Sequence, residues 1–462
     1  MENPSSAVSR SSALLVSLAA SFVTPFMGSS VAIALPSIAR DLGANATLLT
    51  WVGTSYLLAA AMCLVPFGRI ADVYGRKRVF TVGMIVYTLS SLLSALARTP
   101  MELVLYRLIE GVGGAMIFGT GVAILISVYP PQERGRVLGI NVAAVYAGLS
   151  LGPVIGGFLT HRFGWRSVFL SVVPLGTFAV VLIFLRLKGE WAEAKEERLD
   201  PPGSLLYALS LVALMYGLSK LPSLAGAALI LAGFAGLVGF VFYEMSAASP
   251  MLDIRLFREN VVFALSNVAA FVNYSATFAT GFLLSLFLQY VKGFDAQSAG
   301  TIMAMQPVVM ACLSPVAGRL SDRIEPRLVA TGGMVFTVLG LGSLVFLGAH
   351  TSLGFVLVSL VLLGFGFAFF SSPNTNAVMS SVDRRSYGIA SATLGTMRLT
   401  GQMFSMGIVM LIFSIYLGPA KITSEHYPLF LKSARLAFGV FTGLCVAGVF
   451  ASLARGRVHR SS

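Results

Sequence analysis

The sequence predicts an all-α, polytopic membrane protein: two pseudo-repeated six-helix bundles plus an inserted two-helix hairpin, 14 transmembrane helices in all. Three observations carry this reading. Of 462 residues, 56% are hydrophobic and only 11% are charged, against about 25% charged in soluble domains. Fourteen apolar stretches are long enough to cross a hydrocarbon core of about 30 Å, which takes about 20 helical residues. A Gly-Arg-x-x-Asp turn occurs in both halves, each time between two such stretches: Gly68-Arg69-Ile70-Ala71-Asp72 and Gly318-Arg319-Leu320-Ser321-Asp322.

The stretches run 13–36, 48–67, 79–97, 101–127, 137–160, 166–187, 203–221, 223–243, 261–290, 298–317, 328–348, 352–372, 387–417 and 429–454. They are too long and too evenly apolar for alternating barrel strands, so helices must satisfy the backbone in lipid. The first is preceded by a short polar segment with Arg10 and lacks a small-residue cleavage site, which marks a first span and not a removed signal. Residues 1–187 form the first six-helix bundle and 188–202 a cytoplasmic linker. Residues 203–243 form the hairpin, and 244–462 the second bundle with a short tail. The charged run KGEWAEAKEERLD over 188–200 predicts a connector helix. Asp200-Pro201-Pro202-Gly203 predicts a cap followed by proline in a first helical turn. A hairpin preserves parity, so both halves keep one orientation.

That orientation follows from the basic residues. Of the 32 Lys and Arg, 21 fall on the face that carries the termini, nine on the other, and Arg107 and Arg398 lie within spans. Basic residues favour the cytoplasm, so both termini and both Gly-Arg-x-x-Asp loops are expected there. The same rule explains the net charge of +13. No basic stripe with interleaved aromatics lies outside the spans, so nucleic acid is not an expected partner. Cys63, Cys312 and Cys445 read as small core residues without a disulfide framework. The four His fall outside the apolar stretches, no catalytic or metal constellation is visible, and neither an enzyme nor a cofactor is expected.

Within the spans, Arg107 and Glu110 stand at i and i+3, facing each other on one helix. Either charge alone costs about 2.5–3.5 kcal/mol at the bilayer centre, so such ions are usually paired or functional. Glu110 is the only carboxylate this reading places inside a span; it serves either as a static ion pair or as a proton carrier. Gly148, Gly152 and Gly156 share one helical face and permit close backbone contact, while Pro153 introduces a bend beside Gly157. In the loop after the second span, Asp72 is expected to meet a helix N-terminus or an arginine. The helix that starts after Arg384-Arg385-Ser386 is one candidate. Gly68 is expected to let helices approach, and Arg76, Lys77 and Arg78 to hold the loop in the cytoplasm.

These motifs resemble the major facilitator superfamily. Its signature loop between spans two and three has the form seen at Gly68, Asp72, Gly75 and Arg76, and less fully at Asp322. The resemblance implies that the Asp pairs across the cytoplasmic gate and stabilises the outward-open state. The Arg107 to Ala115 segment is similar to the arginine-containing signature of the fourth span, linked to proton transfer, with Glu110 where Gln is usual. Gly148-x-x-x-Gly152-Pro153-x-x-Gly156-Gly157 is similar to the antiporter signature found mainly in exporters. The extra hairpin, Trp51-Val52-Gly53-Thr54-Ser55-Tyr56, Ala34-Leu35-Pro36-Ser37-Ile38, Ser372-Pro373-Asn374-Thr375-Asn376 and Thr396-Met397-Arg398 narrow it to the fourteen-span drug:proton antiporters. Met27 occupies the place where that family often has a first-span Asp.

The remaining polar positions each read singly as helix–helix hydrogen bonds. Together, Tyr56, Asn141, Tyr146, Asn267, Asn273, Tyr274, Gln289, Gln306, Asn374, Asn376, Arg398 and Gln402, with Met27, Phe278 and Phe282, read as the lining of a wet central cavity. With two arginines and one glutamate in the spans, organic dications are expected to be poor substrates. The function expected is secondary active transport: a proton-coupled antiporter in the cytoplasmic (inner) membrane, driven by the proton gradient, exporting amphipathic small molecules by alternating access. Its partners are the substrate, protons and the lipid bilayer, and it is expected to act as a monomer. The alternatives are a dedicated exporter of one metabolite or antibiotic, and a non-transporting sensor or assembly protein on the same scaffold.

Overall fold

The computed structural model describes residues 4–187, 189–192, 200–247, 254–383, 387–418 and 420–456. All fourteen predicted spans are helices long and apolar enough to cross a membrane. The first bundle comprises α1 (Pro4–Leu42), α2 (Ala46–Tyr74), α3 (Arg76–Leu96), α4 (Pro100–Val128), α5 (Pro131–Phe163) and α6 (Arg166–Arg186). Here α5 and α6 pack on α1, α4 packs on α2 and α3, and α3 packs on α6. The hairpin is α7 (Pro201–Lys220) and α8 (Leu224–Ser246). A short α9 (Ile254–Glu259) precedes the second bundle.

In the second bundle, the ninth span is α10 (Val261–Thr277), α11 (Ala279–Leu286) and a π-helical turn, Phe287–Val291. The tenth divides into α12 (Ala296–Met303) and α13 (Met305–Arg323), followed by α14 (Pro326–Leu344), α15 (Leu353–Ser380), α16 (Tyr387–Tyr416) and α17 (Tyr427–Ala454). The helix starts follow from capping side chains, which supply acceptors to otherwise orphaned N–H groups. Asn45 accepts from Leu48 at 2.8 Å, Asp295 from Ser298 at 2.7 Å, and Asp200 from Gly203 at 3.1 Å. At the start of α4, Glu102 N–H donates to the Thr99 hydroxyl, and the Glu102 carboxylate turns back to accept from Arg98 N–H at 2.8 Å.

The expected connector helix over 188–200 is corrected in part. Residues 189–192 are irregular, and the rest of the run up to 199 lies outside the described residues. The cause is a competing contact. Glu190 Oε1 accepts from Lys77 N–H at 2.8 Å, and Trp191 C=O accepts from Arg76 N–H at 2.8 Å. The linker thereby spends its polar groups on the N-terminus of α3 instead of on its own helix.

The two bundles meet at the end opposite the Gly-Arg-x-x-Asp loops. There Ala46 N–H donates to Ala420 C=O at 3.2 Å, Thr47 Oγ1 to Gly418 C=O at 3.4 Å, and Gln289 Nε2 to Ile33 C=O at 2.9 Å. On the other seam α5 meets α12 through glycine: a side chain at Gly300 would collide with Pro153 C=O, and one at Gly157 with Ala296 C=O. Deeper in, Leu64 still touches the space beside Gly395. At Gly68, one turn further toward the loops, a side chain would meet open space. On its other side the Gly68 Cα would lie 3.7 Å from a side chain at Gly119, so Gly68 faces α4 closely as well as open space. The hairpin straddles one seam: α7 packs on both α2 and α16, with Tyr207 Oη 3.2 Å from Thr400 Oγ1 and Ser414 Oγ donating to Leu221 C=O.

Candidate transport site

The first cluster grows from α4. Its glycines let α2 and α3 approach: side chains at Gly111 and Gly114 would strike Tyr56, and one at Gly113 would strike Tyr87. Into this close packing α4 delivers Arg107 and Glu110, with Nη1 donating to Oε2 at 3.0 Å and exposures of 3% and 0%. Arg107 Nε also donates to Val52 C=O at 3.4 Å, and its guanidinium lies 4.7 Å from the Tyr56 ring centre. Tyr56 and Tyr87 meet edge to face at 6.5 Å. Glu110 Oε1 and the Tyr87 hydroxyl have no hydrogen-bond partner among the described residues, although the two groups are neighbours. One carboxylate oxygen is thus neutralised by Arg107, while the other has the Tyr87 hydroxyl as its polar neighbour. Tyr56 joins this cluster and is itself half-buried.

The second cluster is the loop between α2 and α3. Asp72 Oδ1 accepts from Arg76 Nε and Nη2, both at 2.9 Å, and Arg76 Nη1 donates to Ser127 Oγ on α4 at 2.8 Å. Gly75 adopts φ +117°, a conformation that favours glycine, and it packs against the Glu190 carboxylate. Glu190 also lies 3.6 Å from Arg78. Residues 384–386, near the expected Asp72 partner, lie outside the described residues. In the second copy, Asp322 Oδ1 is 3.4 Å from Asn376 Nδ2, which also reaches Ser321 Oγ at 3.3 Å. Asn376 therefore sits with the repeated loop, away from the expected central cavity.

The third cluster lies between the bundles. Arg398 on α16 donates from Nη2 to Thr375 Oγ1 at 2.7 Å and lies 5.7 Å from the Tyr274 ring centre. Tyr146, halfway along α5 in the first bundle, has Ser314, Tyr274 and Arg398 as polar neighbours. Tyr274 meets Phe367 edge to face at 5.4 Å, and Phe278, one turn beyond it, is 37% exposed. Gln306 and Gln402 are half-buried.

Several expected lining residues are placed elsewhere. Met27 and Asn273 are fully buried, and Asn141 is 5% exposed with its Oδ1 accepting from Ser21 at 2.8 Å. Asn374 is enclosed within the second bundle, donating to Ser266 C=O at 3.1 Å and accepting from Arg455 Nη1 at 2.6 Å. In α5, Gly148, Gly152 and Gly156 lie against Phe22, Ser29 and Ser30 of α1, and Ser30 Oγ donates to Gly152 C=O at 2.8 Å.

Two buried charges escape sequence reasoning. Arg455 follows the last span, where it reads as a topology charge. It is nevertheless fully buried, donating to Asn374, to Ser266 Oγ at 3.3 Å and to Pro326 C=O at 3.2 Å. Desolvation lowers its pKa to about 10. Glu244 is 2% exposed on α8 beside Asp200, so Glu110 is not the sole buried carboxylate on a spanning helix. The predicted eighth span stopped one residue short of it, and no sequence signal marks its burial.

The chain was compared with known proteins. The profile of the Major Facilitator Superfamily matches residues 17–406. Riboflavin transporter RibZ of Clostridioides difficile is 27% identical over 431 residues, covering 93% of both chains. Multidrug resistance protein Stp of Mycobacterium tuberculosis is 30% identical over 393 residues, covering 84% of this chain and 73% of that one. Among solved structures, a bacterial homologue of the human lysosomal transporter Spinster superposes with a TM-score of 0.69 at 17% identity, covering 98% of each chain; this likeness supports the fold.

Proposed function

Because the chain belongs to the Major Facilitator Superfamily and is a membrane transporter, we propose that it is a proton-coupled antiporter exporting amphipathic small molecules by alternating access. Its proposed home is the cytoplasmic (inner) membrane, with the Gly-Arg-x-x-Asp loops and both termini in the cytoplasm, acting as a monomer. The observation that carries this reading is the distribution of cross-bundle contacts. They seal the end opposite the loops through Gln289, Ala46 and the Pro153–Gly300 contact. In this reading the loop end is the one that opens, and a substrate reaches Tyr146 and Arg398 from the loop side.

In this reading the closed seam is the outer gate, and rocking of the bundles breaks it while the loop ends approach. Asp72 and Arg76 set the geometry of the inner gate. Glu110 carries the coupling proton and Arg107 tunes it: withdrawal of the guanidinium favours protonation, and its return favours release. The similarity to Stp supports a broad range of amphiphiles. A dedicated exporter is the second reading, favoured by the likeness to a riboflavin transporter over 93% of both chains.

Substrate-stimulated proton release in inverted vesicles, screened over a compound panel, tests the proposal. Release that saturates with substrate is expected; substrate movement without any proton flux across the whole panel contradicts it.

A further inference from the structure

We propose that Arg398, Thr375, Tyr274 and Tyr146 form a recognition site for aromatic monoanions, such as carboxylates on a planar ring system. The inference deepens the transport reading by committing the cluster between the bundles to a class of substrate. It starts from charge accounting. Arg107, which the sequence likewise places within a span, is neutralised by Glu110 at 3.0 Å. Arg398 has no carboxylate in ion-pair range among the described residues; its one protein acceptor is the Thr375 hydroxyl, and its Nε is buried without a partner. A lone guanidinium at membrane depth is costly, and an anion brought beside it offsets that cost.

The geometry favours an acceptor over a donor. Thr375 holds Nη2 at 2.7 Å and Nε is closed off, which leaves the Nη1 group for a ligand. The surroundings favour an aromatic body. Tyr274 lies under the guanidinium at 5.7 Å, Phe278 follows on the same helical face with 37% exposure, and Tyr146 approaches from the opposite bundle. Ligand contact with Tyr146 and Arg398 at once would span both bundles, so the site can sense their relative position. One guanidinium matches one negative charge.

The opposing explanation is that Arg398 merely fastens α16 to α15 through Thr375. The two differ in charge selectivity, so the test measures that directly. Equilibrium binding to the purified full-length protein is measured for 2-naphthoate, 2-naphthamide and 2-naphthylmethylammonium, which share a ring system and differ in charge. The wild type is expected to bind the anion roughly tenfold or more tighter than the amide, as a charge-assisted hydrogen bond supplies, and the cation most weakly. Arg398→Gln is expected to bring anion and amide to equal affinity, whereas Arg398→Lys keeps the order with a smaller ratio. Anion preference retained in Arg398→Gln overturns the proposal. So does tightest binding of the cation by the wild type, or binding of no member of the set, and these wild-type outcomes hold even if Arg398→Gln fails to fold. Binding order is read without a proton gradient, so loss of coupling in vesicles leaves this result standing and counts against the antiport reading alone.

Discussion

Arg107 donates to Glu110 across 3.0 Å, and both side chains are closed to solvent. The pair is enclosed by Tyr56 and Tyr87, on helices of its own bundle. The carboxylate therefore has one oxygen committed to Arg107 and the other beside the Tyr87 hydroxyl. Removing one member of such a pair costs about 3–5 kcal/mol because the other is left as an uncompensated buried charge, while removing both together is far milder. This sets how the pair must be tested: single changes report charge as well as function, and the double variant Arg107→Met with Glu110→Gln serves as the control for folding.

Asp72 should govern the gate on the loop side. It fixes Arg76 through two bonds of 2.9 Å, and Arg76 in turn reaches Ser127. Asp72→Asn is expected to insert normally, to lose most transport and to shift the resting population further toward the loop-open arrangement. Distance distributions between spin labels on the loop-side ends of the two bundles check this. Unchanged distributions with full transport contradict it.

Gly300 should be required for closing the far end. A side chain there has no room against Pro153 C=O, and overpacking of this kind typically costs about 1–3 kcal/mol. Gly300→Val is expected to force α5 from α12, lower the thermal midpoint and cut transport, whereas Gly332→Ala, where a side chain meets open space, is expected to be near neutral. Thermal unfolding of the two purified variants distinguishes them.

Glu190 should stabilise the start of α3. Its carboxylate accepts from Lys77 N–H at 2.8 Å and lies 3.6 Å from Arg78. A partly exposed carboxylate at a helix N-terminus contributes about 0.3–1 kcal/mol, less at high salt. Glu190→Gln is expected to lower the thermal midpoint slightly in low salt and to match the wild type in high salt. An equal loss at both ionic strengths would point to packing by the linker and not to charge.

The spans were legible because lipid removes alternatives: a continuous apolar run of about 20 residues has no other stable form there. The repeated loop was legible for the same reason, since charged turns between such runs stand out. The inward faces were harder. A spanning helix is apolar on its lipid face and largely apolar on its packed face, so Asn374 and Asn376 looked equivalent to Arg398 in sequence. Only packing shows Asn374 under Arg455, Asn376 beside Asp322, and Arg398 bonded to Thr375 in the neighbourhood of Tyr146. The start of the linker, 189–192, departs from expectation for another reason. Residues 188–200 have a helical composition, but Glu190 is recruited 113 positions away in sequence, a tertiary contact that local propensity does not encode.

The coupling role of Glu110 is most directly tested by comparing two modes of transport in vesicles containing Glu110→Gln. The account predicts that substrate exchange persists while uphill transport driven by a pH gradient is lost, with the Arg107→Met, Glu110→Gln double variant equally uncoupled. Uphill transport by Glu110→Gln at the wild-type rate would contradict it and place coupling elsewhere.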